Sequence, residues 1–146
     1  MKYKLELSVN KPRAEVWRVF NDLDTIDKWQ PSLTKIESIE GTTGQLGSVT
    51  KLTFKNGERE FSLIEKITFR AEPERIDGIF ENEFADNPVK NTFIENGPNQ
   101  TLWRVDVEFK FKTMFMRLIG PFVKKRFMAN TQRNMDRFKA LVESLY

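Results

Sequence analysis

The chain contains no histidine and no cysteine. Without imidazole there is no Ser-His-Asp or Cys-His arrangement, no ready general base near neutral pH and no imidazole ligand for a catalytic metal. Without thiols there is no disulfide framework, thiol nucleophile or cysteine-based zinc site. Acid–base chemistry must rest on a carboxylate, a lysine or a tyrosine with a shifted pKa, and no metal or cofactor is expected. No apolar run approaches the length of about 18 residues that suggests a membrane span. Met1 to Val9 alternates polar and apolar residues instead of forming an apolar export segment. A cytoplasmic protein without a transmembrane segment, monomeric or weakly dimeric, is the expectation. Strong charge bias is missing too: 24 Lys plus Arg against 21 Asp plus Glu leave +3, too little to point to nucleic acid.

What the sequence has in quantity is aromatic surface. Thirteen Phe, three Trp and two Tyr in 146 residues must be buried or offered to a ligand. The 39% hydrophobic and 31% charged content fits one globular domain over residues 1–146. Charge of each sign is unevenly placed. Six acids fall between Glu72 and Asp86 with only Arg75 among them, and seven bases fall between Arg117 and Lys139 with only Asp136. One face should be acidic and one end basic.

The periodicities predict the elements. Tyr3, Leu5, Leu7 and Val9 have the period of two of a half-buried strand. Pro12 opens a helix through Ala14, Val16, Trp17, Val19 and Phe20, and a second short helix covers Asp24 to Trp29. Strand signals follow over Leu33–Ile39, Ser48–Phe54, Glu58–Phe69, Ile76–Phe84, Val89–Glu95 and Gln100–Lys112. Asn56-Gly57 is the strongest hairpin signal, and Pro73-Glu74-Arg75, Asn87-Pro88 and Asn96-Gly97-Pro98-Asn99 read as turns. After Gly120-Pro121, read as a breaker, the period becomes 3.6 through Val123, Phe127, Thr131, Met135 and Phe138, so a helix over Phe122–Ser144 would run about 35 Å.

This order resembles the SRPBCC superfamily, the START-like or Bet v 1-like helix-grip proteins, and within it the polyketide cyclase/dehydrase group. The resemblance is carried by Asn10 to Trp17, Asp22 with Trp29-Gln30-Pro31, Gly44 to Ser48, the Glu72-Pro73-Glu74-Arg75 turn and the ending Met135 to Glu143. It implies an α+β helix-grip fold, in which a seven-stranded antiparallel sheet with two short helices after the first strand wraps around a long C-terminal helix. It also implies a cavity between sheet and helix for lipids, polyketides or other apolar molecules. A shared fold does not carry catalysis with it, and the group offers no universal catalytic residue to place on this chain.

Several motifs have plain readings. Asp22 to Asp27 lacks the glycine and glutamate of a calcium loop and fits a helix start favoured by the dipole. Gly41, Gly44 and Gly47 lack a following Gly-Lys-Ser/Thr, so they are turns and not a phosphate loop. More informative are polar residues that alternation puts on apolar faces. Phe61, Leu63, Ile67 and Phe69 put Glu65 inward; Ile76, Phe80 and Phe84 put Asn82 inward; Thr131 and Asn134 interrupt the helix stripe. Glu65 reads either as a strand-end or bulge residue or as a pocket group, and Asn82, Thr131 and Asn134 either satisfy buried neighbours or orient a ligand. The expected ligand wall is Phe54, Phe61, Leu63, Phe80, Phe93, Trp103, Val105, Phe127 and Met135, with Asn82, Thr131 or Asn134 holding one polar group. The alternative is a cyclase/dehydratase in which Glu65, or an inward Tyr3, moves a proton. A protein-partner or co-chaperone module using the acidic 72–86 face is a third reading. Met114 to Arg126 reads as the ordinary entrance to the long helix or as a cavity lip that touches anionic membrane.

Overall fold

The computed structural model describes residues 1–145. The elements are β1 (Lys2–Val9), α1 (Arg13–Phe20), α2 (Ile26–Trp29), β2 (Leu33–Glu40), β3 (Val49–Asn56), β4 (Arg59–Ala71), β5 (Arg75–Glu81), β6 (Ala85–Glu95), β7 (Thr101–Glu108), β8 (Lys110–Phe111) and α3 (Met114–Ser144). All strand pairs are antiparallel, in the order β1-β7-β6-β5-β4-β3-β2, and the two-residue β8 pairs with β6. Short connections build this meander from β2 onward, and β1 completes the sheet by joining β7. The helix grip is therefore present, with seven strands on one path.

Local signals and final elements differ at five places. The β3–β4 turn is centred on Gly57-Glu58, one residue later than expected, because Asn56 pairs with Arg59 and Gly57 supplies the positive φ of 63°. Pro88 lies inside β6, opposite Ile79. On the other side of β6, pairing with β7 begins at Val89 and pairing with β8 ends at Asp86, so proline occupies a gap where no ladder donor is needed. Asn87 fills that gap by donating from Nδ2 to the Glu108 carbonyl at 2.6 Å. The last strand divides at Phe109, whose amide donates to the Met1 carbonyl. Finally, β5 stops at Glu81, and Gly120-Pro121 sits within α3, not before it.

The helix starts early because Thr113 caps it, its hydroxyl accepting from the Met116 amide at 3.1 Å. Gly120 lies against the Phe111 ring, where a Cβ would come within 2.7 Å of a ring carbon. At 31 residues, α3 is about 46 Å long. Its C-terminal half buries Met135, Phe138 and Val142 against the sheet, α1 and α2. Phe138 is fully buried, with Trp103 at 4.9 Å, Trp29 at 5.0 Å and Phe20 at 6.0 Å, all at steep interplanar angles. This edge-to-face geometry adds to the area each ring removes from water.

Candidate functional site

Beneath the middle of α3, from Phe127 to Met135, the space between helix and sheet is not filled. A cavity of about 380 Å³ lies there, and a second hollow of about 280 Å³ shares Phe61, Leu63, Phe80, Asn87, Phe109 and Phe127 with it. The apolar wall follows from strand pairing. Directly opposed residues face the same side of a sheet, so Leu52 with Leu63, Phe54 with Phe61, and Val89 with Val107 form cross-strand rows that line the cavity. Phe54 and Phe61 stack at 5.3 Å, and Phe127 from the helix stacks on Phe109 at 4.9 Å. The helices after β1 close the far side with Phe20, Leu23, Ile26 and Trp29.

Polar groups interrupt this wall at a few points. Tyr3 and Thr131 are bonded hydroxyl to hydroxyl at 2.9 Å, and the Thr131 hydroxyl also lies 3.1 Å from the Phe127 carbonyl. Thr131 has one proton to give, and the carbonyl can only accept it, so Tyr3 is the donor to Thr131. Burial raises the Tyr3 phenol above its ordinary pKa, partly offset by the Thr131 bond. Asn91 accepts from the Trp103 indole at 3.0 Å. The Trp29 indole N–H is buried with no acceptor among the described residues. Glu65 faces the cavity between Thr50 and Phe80, its partners on β3 and β5. Burial alone pushes its carboxyl up to about 7, because the apolar wall disfavours the ionised form.

The structure brings Phe54, Phe61, Leu63, Glu65, Phe80, Trp103, Val105, Phe127, Thr131, Asn134 and Met135 to the main cavity, together with Tyr3. Two expected wall residues lie elsewhere. Phe93 is on the inward face but fully packed, with Phe20 at 5.1 Å and Trp17 at 5.8 Å occupying the space a ligand would need. Asn82 lies beyond the end of β5, where its side-chain oxygen accepts from the Phe84 and Ala85 amides, both at 2.9 Å; it edges only the second hollow. Phe69, one of the residues that set the phase for Glu65, turns outward. The register slips by one between Ile67 and Phe69, so Phe69 is exposed under the Arg75 guanidinium and Arg70 turns inward. Arg70 then donates to Asn21 at 3.1 Å and to the Gly44 carbonyl at 2.7 Å, and lies over Trp17, fastening α1 to the 41–47 loop at the cavity edge.

Sequence reasoning missed Asn87, Asn91 and Asn130, which also line the cavity. Alternation with Val89 and Phe93 carries the signal for the first two, once Asn87-Pro88 is not taken as a turn. Asn130 stands three residues after Phe127 and four before Asn134, the spacing of one helix face. Among the described residues no three acidic side chains converge into a set that holds a metal ion.

A long helix over an antiparallel sheet with an apolar hollow between them defines a START-like helix-grip domain of the SRPBCC superfamily. The chain belongs to the family described as polyketide cyclase / dehydrase and lipid transport, whose profile matches residues 2–143. Its fold is similar to a START superfamily protein from Mycobacterium smegmatis, with a TM-score of 0.81, 17% identity and 99% of each chain covered. It is also similar to the protein TTHA0849 from Thermus thermophilus, with a TM-score of 0.79, 14% identity and coverage of 99% of this chain and 98% of that one. Norcoclaurine synthase from Thalictrum flavum, in complex with dopamine and hydroxybenzaldehyde, superposes with a TM-score of 0.74 at 16% identity over 100% of this chain and 88% of that one. At these identities the likeness is one of fold. No curated protein matches the chain.

Proposed function

We propose that this chain binds an apolar small molecule, with a ring or an acyl chain, in the cavity between the sheet and α3. The observation that carries this reading is an unfilled 380 Å³ space walled by Phe54, Phe61, Phe80, Trp103, Phe109 and Phe127. That volume lies within the roughly 300–1,000 Å³ of small-molecule sites, and an apolar wall with few polar groups is their usual make-up. The family's lipid-transport description and the aromatic compounds held by the norcoclaurine synthase structure agree with it. Native mass spectrometry of the purified protein, followed by thermal-shift assays with fatty acids, sterols and polycyclic aromatics, tests it. Retained or added ligand with a raised Tm is expected, and no response to any apolar compound overturns it.

A second reading, a cyclase or dehydratase that folds a reactive chain in the same cavity, is favoured by Glu65 and its pKa near neutrality. Glu65→Gln with unchanged turnover removes it. The partner reading of the 72–86 face loses ground, since Glu72, Asp77, Glu81 and Asp86 are paired with Arg70, Arg75, Lys66 and Lys112. The first turns of α3 have the features of a membrane-touching lip: Met114, Phe115, Leu118 and Phe122 are exposed, the last at 86%, and Arg117, Lys124, Lys125 and Arg126 lie among and after them. Among the described residues no helix is long and apolar enough to cross a membrane.

A further inference from the structure

We propose that the cavity selects amphiphiles whose polar head is a protonated amine, held by the Glu65 carboxylate while the apolar body lies among the aromatic wall. This rests on the reading of the cavity as a binding site for apolar molecules and names the class of ligand it prefers. Among the described residues, Glu65 is the only aspartate, glutamate, lysine or arginine that lines the main cavity. It occupies the middle of β4, flanked on the inward face by Leu63 and Ile67. Of its cross-strand partners, Thr50 is engaged with the Thr43 hydroxyl at 3.0 Å, and Phe80 has no polar atom in its side chain. Gly78, which lines the same wall on β5 opposite Ile67, contributes no polar side chain.

No resident cation answers this charge. Lys66, the next residue, points to the outer face and pairs with Glu81 at 3.1 Å. No charged side chain on β3, β5 or β6 faces the cavity, and α3 turns Asn130, Thr131 and Asn134 toward it. The other titratable group on the wall is Tyr3 of β1, whose phenol stays neutral and already donates its hydrogen bond to the Thr131 hydroxyl. An ionised carboxylate in an apolar wall is costly until a partner of opposite charge reaches it, and an ammonium supplies both the charge and the hydrogen bonds. A carboxylate-headed ligand meets repulsion, and an alcohol leaves the charge unbalanced.

The protonation of Glu65 then sets the pH dependence. An alkylammonium keeps its proton to about pH 10, whereas Glu65 ionises near 7, so amine affinity should climb as pH rises through neutrality. Only the ionised fraction of the protein offers the partner, which makes the gain about tenfold or more between about pH 5.5 and about pH 8.5. Neutral ligands of the same shape should show no such rise.

The experiment is isothermal titration calorimetry of the full chain with three matched probes, naphthylethylamine, naphthylethanol and naphthylacetate, at both pH values. Glu65→Gln and Glu65→Leu serve as comparison proteins, each checked for native circular dichroism. At the higher pH the amine should bind wild type at least tenfold more tightly than the alcohol, with the acetate weakest. The advantage should vanish at the lower pH and in both variants. Equal binding of amine and alcohol in wild type, or an amine preference that survives in either variant, overturns this proposal and leaves the apolar-binding reading standing. Failure of all three probes, joined to silence across the wider apolar panel, overturns both.

Discussion

The two ends of α3 rest on different ground. Beneath its C-terminal half, Phe138, Trp29, Trp103 and Phe20 pack ring against ring, backed by Phe93, Val16, Val19 and Val142. Nearer its middle and toward its start, Phe127 meets Phe109 on one side and open space on another. Both ends use aromatic residues from the same sheet. They differ in what lies above the sheet: Phe20 and Trp29 of α1 and α2 pack directly on Phe138 at one end, whereas toward the cavity the same two rings form only its closing wall. Close-packed interiors hold few voids larger than a water molecule, so a hollow of this size is a departure that the packed end must stabilise. Stability belongs to one end of the helix and capacity for a ligand to the other.

The largest expected effect would break this contrast if it failed. Phe138→Ala should cost about 3–5 kcal/mol in urea unfolding, the usual range for a buried phenylalanine, with little change in affinity for a cavity ligand. Phe127→Ala should cost about 1–2 kcal/mol, because its ring is already partly unsupported, while changing ligand affinity by more. Equal large losses at both positions with unchanged binding would mean that the helix covers a filled core.

Next in size is the pH dependence that the hollow end imposes. The Glu65 carboxyl titrates near 7 when folded, against an ordinary value of 4.5, so the folded chain binds more protons between these two values. Stability should therefore fall as pH rises through that window, by about 3 kcal/mol, and level off above it. Glu65→Gln should flatten this component when unfolding free energies are compared from acid to neutral pH. An identical slope in both proteins would place the carboxylate in water.

Smaller effects sharpen the picture at the start of α3. Thr113→Ala removes the cap on the Met116 amide and should cost about 1 kcal/mol, seen as a lower urea midpoint and faster amide exchange in the first turn. Replacing Leu118 and Phe122 with serine should change stability by less than about 0.5 kcal/mol, since both are exposed. If this lip touches membrane, the same double variant should lose co-sedimentation with anionic vesicles.

Much of the fold was legible because β1 and β7 alternate without interruption and pair with each other residue for residue from Lys2–Glu108 to Val9–Thr101. The helix stripe of Phe127, Thr131, Met135 and Phe138 was legible for the same reason, a period that one face of one element imposes. Signals that depend on a partner were not. Phe69 reads inward by counting, and the slip that turns it outward exists only in the register between β4 and β5. Asn87-Pro88 reads as a turn until the gap between β7 and β8 is known. Gly120-Pro121 reads as a breaker, although proline in a helix interior costs about 3 kcal/mol and removes one backbone bond without ending the helix by necessity. The Thr113 cap and the seat of Gly120 on Phe111 hold the turns before the proline, and the burial of Met135, Phe138 and Val142 holds those after it.

The sequence by itself determined which chemistries are closed to this protein, which residues face inward on most strands, and that alternation along β4 offers Glu65 as a candidate inward carboxylate. Only the tertiary structure decided which inward residues meet a neighbour and which meet space. Phe93 and Phe80 have the same residue type and both face inward, yet one is sealed by Trp17 and Phe20 and the other borders the cavity. Whether a volume is filled depends on side chains from several distant elements at once, and no period within a single element records that sum.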